Sequence, residues 1–141
     1  MSILLPSPLL RTGLRLDAVL SLTAAALVPL MIDLLMREIG LARGSWILLA
    51  AFMFVWAGLT GWMGGQARLP VWSVWLTIAV NVEWAVASLL LPILAELTPS
   101  PLGWTVLILQ AAGVLVFAEL QWLGLRRSQR ESALVAAASG S

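Results

Sequence analysis

Glu83 stands in the middle of an apolar run, residues 71–91, where an acidic side chain needs a reason to be. A carboxylate at the centre of a bilayer costs at least ~2.5 kcal/mol, so it points to the handling of protons, ions or a ligand. Asn81, in the same run, and Gln110, in the next, are amides that can position a ligand or a carboxyl group. Trp84 and Trp75 also lie inside the run rather than at its ends, and indole faces are the strongest cation–π partners. Glu119 and Asp17 supply candidate second carboxylates. Ligand binding or proton coupling would fall to Glu83, Asn81, Gln110, Trp84, Trp75 and Glu119; catalysis, if the chain is an enzyme, to Glu83, Asn81, Glu119 and Asp17.

Each group also has a plainer reading. Glu83 can be polar glue that hydrogen-bonds a neighbouring helix. Glu119 can pair with Arg126 or Arg127, Asp17 with nearby Arg15, and Asp33 with Arg37 at i,i+4 spacing. Trp75 and Trp84 can fill gaps in a bundle or face lipid.

Composition narrows the chemistry further. The 141 residues are 61% hydrophobic and 11% charged, with a mean hydropathy of +0.99. A soluble domain carries roughly 25% charged residues, so a soluble fold, disorder, a disulfide scaffold and a nucleic-acid binder are all excluded. His, Cys, Lys and Tyr are absent, leaving eight Arg and seven carboxylates as the ionisable side chains. Imidazole bases, thiolates, Schiff bases and soft-metal sites go with them, and neither a metal nor a cofactor is expected.

The elements that must position these groups are membrane spans. Residues 44–67 carry no charge, and neither do 97–118, each long enough for a span of about 20 residues. Two further runs are interrupted only by Asp17, Asp33 or Glu83. The fold class is therefore all-α, a polytopic membrane protein built as a four-transmembrane-helix bundle. Residues 1–15 form an interfacial N-terminal segment, and 16–127 the membrane domain, with spans at about 16–36, 45–65, 70–92 and 102–125. Residues 128–141 form a mobile cytoplasmic tail. Pro29 is expected to kink the first helix. Arg11, Arg15, Arg68, Arg126, Arg127 and Arg130 fall on one side, against Arg37 and Arg43 on the other. That bias places both termini in the cytoplasm of a multi-pass bacterial inner-membrane protein.

Helical geometry tests which groups can meet. At ~1.5 Å per residue, Asn81, Glu83 and Gln110 fall in one layer near the midplane, with Ser21, Thr60, Thr77 and Glu119 in a second layer nearer the cytoplasm. On the third span Asn81 shares a stripe with Thr77 and Ser88. Glu83 projects about 160° away, with Trp72, Leu76, Ala79 and Ala87, a face suited to close helix contact. On the fourth, Gln110 and Gln121 lie on one side, Glu119 and Arg126 on the other. Ala57, Gly61 and Gly65 form a small-residue stripe on the second span. It serves packing within one bundle or the seam of a homodimer.

The stretches Asn81-Val82-Glu83-Trp84-Ala85-Val86-Ala87-Ser88, Phe117-Ala118-Glu119-Leu120-Gln121 and Leu14-Arg15-Leu16-Asp17-Ala18 resemble small bacterial four-span integral membrane proteins of unassigned function. The resemblance implies the fold and no activity. Small multidrug resistance transporters offer an analogy in size, span number and an embedded Glu, although theirs lies in the first helix. Fluoride channels are comparable in size, but their glycine and phenylalanine signatures are missing here.

Three functions follow as expectations. The first is a small transporter or ligand-binding protein for a lipophilic or cationic molecule, proton-coupled through buried Glu83, with a homo-oligomer enclosing the pathway. The second is a membrane-embedded enzyme using carboxylate acid–base chemistry, such as epoxide opening, cyclisation or isomerisation, on a lipophilic substrate. The third is an accessory subunit of a membrane complex. The bilayer is the common partner.

Overall fold

Ser7-Pro8 is a helix start in miniature: the Ser7 hydroxyl accepts from the Leu10 N–H at 3.3 Å, and Pro8 takes a position that needs no N–H donor. The computed structural model describes residues 2–139. Helix α1 runs Pro8–Leu30, the short α2 Ile32–Ile39, α3 Arg43–Gly65, α4 Val71–Leu94 and α5 Pro101–Ser139. All but α2 are long and apolar enough to cross a membrane. The chain is an all-α four-helix membrane bundle.

Three boundaries depart from the sequence reading. The first span begins at Pro8 rather than Leu16, because Ser7 caps it and Gly13 lets α1 pack closely against Leu120 and Gln121 of α5. It also ends early: two residues past Pro29 the backbone breaks at Met31, and α2 forms a separate amphipathic helix of about two turns. Within the expected tail, residues 128–139 continue α5 as helix, while residues 140 and 141, like residue 1, lie outside the described chain. Most of the N-terminal segment thus belongs to the bundle. Its remainder, Ile3–Leu4 (β1), pairs antiparallel with Leu69–Pro70 (β2) just before α4.

Packing is uneven around the bundle. Helix α1 lies against α3 and α5, and α5 against α4, whereas α3 and α4 share no extended interface among the described residues. Apolar clusters close the two ends. Leu4, Leu10, Leu14, Met63, Leu69, Val74 and Leu125 fill the Arg-rich end; Val28, Ile32, Ile39, Trp46, Ala50 and Leu107 fill the other. The buried polar side chains Asp17, Thr60, Thr77, Asn81 and Gln121 occupy the space between.

Small residues set the close approaches. On α3, Ala57 is buried and a Cβ on Gly61 would touch Ala18 at 3.4 Å, but Gly65 faces open space. Gly64, against Arg15 and Leu14, takes its place in the stripe. The reason is angular: at 100° per residue Gly64 lies about 20° from Ala57 and Gly65 about 80°. On α5 a Cβ at Gly124 would stand 2.6 Å from Leu10 N and Cα.

Each end also carries a polar clasp. Ser7 and Ser128 both donate to the Gly124 carbonyl, at 3.0 and 2.7 Å, and the Ser7 N–H donates to Ser128 Oγ at 2.9 Å. At the other end Ser100 caps α5 by accepting from the Gly103 N–H, and its hydroxyl donates to the Glu38 carboxylate. The Ser100 N–H in turn donates to the Glu38 carbonyl at 2.8 Å. Arg37 reaches Glu38 rather than Asp33, at 2.7 Å, and Asp33 pairs instead with Arg43. The Ser100 hydroxyl foremost, then Arg37, holds the Glu38 carboxyl below its ordinary range.

Two expectations follow. Gly124→Ala should destabilise the bundle by about 1–3 kcal/mol through overpacking on Leu10, whereas Gly58→Ala, which meets nothing within 4 Å, should be neutral or slightly stabilising; unfolding in detergent separates them. Glu38, with its lowered pKa, stabilises the fold fully above its unfolded value of about 4.3 and loses that contribution as pH falls through the folded value. The stability difference between wild type and Glu38→Gln should therefore be constant from pH 7 to 5 and shrink below it. A difference that grows on acidification would show the sign to be wrong.

Candidate functional site

Asp17 is 1% exposed, the most deeply buried ionisable group in the core. From the helix start at Pro8 it lies about 14 Å along α1. Its Oδ2 accepts from Asn81 Nδ2 and Gln121 Nε2, both at 2.8 Å. Its Oδ1 accepts from Ser21 Oγ at 3.1 Å, one turn along α1. Asn81 Nδ2 also donates to Gln121 Oε1 at 3.2 Å, which closes a triangle across α1, α4 and α5. Three donors converge on one carboxylate, and charge-assisted bonds of this kind offset the cost of burial.

Periodicity brings these groups inward. Asn81 continues the α4 stripe of Val74, Thr77, Ile78 and Ala85, and Gln121 the α5 stripe of Leu107, Ala111, Ala118 and Leu125, all buried. Further from the Arg-rich end, Trp84 Nε1 donates to Gln110 Oε1 at 3.1 Å, and Gln110 Nε2 donates to Ser88 Oγ. Ser88 Oγ in turn donates to the Trp84 carbonyl at 2.7 Å.

Between the two hydrogen-bonded groups lies a cavity of about 260 Å³. Asp17, Ser21 and Asn81 form its polar floor, with Trp84 and Gln110 at the opposite side. Phe52, Trp56 and Phe117 supply aromatic wall. Phe52 stacks on Trp84 at 5.4 Å between centroids and on Trp56 at 6.0 Å. The Phe52–Trp84 stack is thus a bridge across the otherwise loosely joined α3–α4 flank. Asp17 is the one ionisable side chain among the residues lining the cavity, and apart from Ser21, Asn81 and Gln110 the rest of the lining is apolar or aromatic.

The expected carboxylates are not where the sequence put them. Glu83 is exposed on the outer surface of α4, together with Trp72, Leu76, Ala79 and Ala87. The separation of Glu83 from Asn81 holds, but the face of α4 that meets other helices is that of Asn81 and not that of Glu83. Once Asn81 turns inward to Asp17, Glu83 must turn outward. Glu119 is likewise exposed, opposite Gln121 on α5. Arg127 bonds Glu131 at 3.1 Å and Arg126 lies over the Trp122 ring at 4.7 Å, instead of meeting Glu119. Trp75 is exposed as well. Of the candidate residues, Asp17, Asn81, Trp84 and Gln110 line one cavity; Glu83, Glu119 and Trp75 do not. Among the described residues Asp17 is the one carboxylate lining this cavity. Gln121 as a partner of Asp17, and Phe52, Trp56 and Phe117 as walls, escaped the reading. The i,i+4 spacing of Phe52 and Trp56 is the signal that marks them as neighbours. No protein-family model, curated protein or solved structure matches the chain.

Asn81→Leu strips one donor from the buried Asp17 carboxylate and should destabilise the bundle by about 1–3 kcal/mol. Glu83→Leu removes a carboxylate from an apolar outer surface and should be neutral or stabilising. Unfolding of both variants in lipid–detergent micelles checks the order; a larger loss for Glu83→Leu would contradict the burial described here.

Proposed function

We propose that the protein is a small ligand-binding or transport protein of the bacterial inner membrane, with both termini cytoplasmic. Its ligand is a lipophilic molecule bearing an ammonium or other hydrogen-bond-donating group. The observation that carries this reading is a single buried carboxylate, Asp17, at the floor of an aromatic-walled cavity inside a membrane bundle. Oδ2 is already occupied by two amide donors, while Oδ1 accepts only Ser21 and has a lone pair left for a ligand. Trp84 and Phe52 offer ring faces to a cation. Any coupling to protons passes from Glu83 to Asp17 in this reading. The sparsely packed α3–α4 flank supports entry from the lipid side, and a second copy of the chain seated there would close it. The six-to-two distribution of Arg supports the orientation.

Binding of hexylamine to the protein in lipid nanodiscs tests the reading. Asp17→Asn keeps an acceptor oxygen for the amides but removes the charge, and should weaken binding about tenfold or more, equivalent to ~1.4 kcal/mol. Glu83→Gln should bind as wild type. Equal binding by wild type and Asp17→Asn would remove Asp17 from the site.

A further inference from the structure

A second cavity of about 230 Å³ lies beyond the first, toward the end capped by α2. The two share Ala24, Met53, Trp84 and Gln110 in their walls, so they meet at a common partition. The lining of the second is almost wholly apolar, with Val28, Leu49, Leu91 and Leu107 representative. Its polar members are Gln110 and Ser88 at the partition and the indole of Trp46. Trp46, 8% exposed, has a buried indole N–H with no hydrogen-bond partner among the described residues.

Two of the shared residues form an ordered rim between the cavities. Trp84 and Gln110 are fixed to each other and to Ser88 by hydrogen bonds, and Trp84 is held flat against Phe52. Along α1 the distance from Asp17 to Val28 is roughly 16 Å, the scale of a mid-length alkyl chain. A compact ligand would fill the first cavity and leave the second empty.

Resting on the reading above, we propose that the ligand is a single-chain amphiphile, its donor head on Asp17 and its chain passing Trp84 and Gln110 into the second cavity. The polar floor takes the head, and the apolar chamber takes the chain. A chain leaving the bilayer for this chamber exchanges one apolar surrounding for another, so its length adds little affinity. Fit to the chamber sets the limit instead.

Displacement of radiolabelled dodecylamine from the protein in nanodiscs, by hexylamine, dodecylamine and hexadecylamine, tests the assignment. Ala87→Phe and Val106→Trp each add bulk to the second cavity from positions with room at the outer surface. In both, dodecylamine should bind about tenfold or more weakly than to wild type, from overpacking, while hexylamine binding is unchanged. Retained hexylamine binding shows that the variants are folded. If dodecylamine binds both variants as it binds wild type, the chain leaves through the α3–α4 flank and the assignment falls, although the Asp17 site stands. If Asp17→Asn leaves hexylamine binding unaltered, the underlying site fails independently of the chamber.

Discussion

A carboxylate inside a membrane bundle must find its donors within the protein, because lipid offers none. In this chain that constraint falls on Asp17, and three of the four spanning helices answer it. Asn81 from α4 and Gln121 from α5 meet at one oxygen, and Ser21 from α1 itself reaches the other. Without a hydrophobic drive between helices in lipid, such convergence specifies which helices lie side by side and in what rotation. The rotation of α4 then decides the fate of Glu83, and that of α5 the fate of Glu119.

Helix α3 stands apart from this polar tie. Its buried Thr60 hydroxyl turns back on the carbonyls of its own helix, at Trp56 and Ala57, and bonds no other helix. What holds α3 is the close approach of Ala57, Gly61 and Gly64 to α1. On its other side toward α4 the aromatic stack of Phe52 on Trp84 does what helix packing does elsewhere. The cavity exists because α1, α4 and α5 are tied in the middle by hydrogen bonds while α3 is held only along one edge. Clasps at the two ends, Ser7 with Ser128 and Glu38 with Ser100, keep the helix ends registered without filling the centre.

Much was legible from residue order alone. Uninterrupted apolar runs longer than a bilayer is thick leave helices as the one structure that satisfies their backbone, so the four-span all-α class follows from composition and length. The 3.6-residue repeat also separated Asn81 from Glu83 and Gln121 from Glu119 correctly. What the repeat does not carry is which of two opposite faces is turned inward. In a soluble helix the apolar face is the buried one, but a membrane helix is apolar all round and loses that cue. Helix starts were similarly underdetermined: charge placed the first span at Leu16, whereas the Ser7-Pro8 cap and the Gly13 contact begin it at Pro8. That shift sets Asp17 two and a half turns into α1 instead of at its start.

The sequence by itself determined that this chain is built of helices long and apolar enough to cross a membrane and that its polar groups within them are a few carboxylates, amides and hydroxyls. Only the tertiary structure decided that the buried carboxylate is Asp17, because burial depends on the rotation of each helix, and rotation is fixed by partners as far apart in sequence as Asp17 and Gln121. Local periodicity reports the angle between two side chains on one helix; which of them faces a cavity depends on the other helices that complete it.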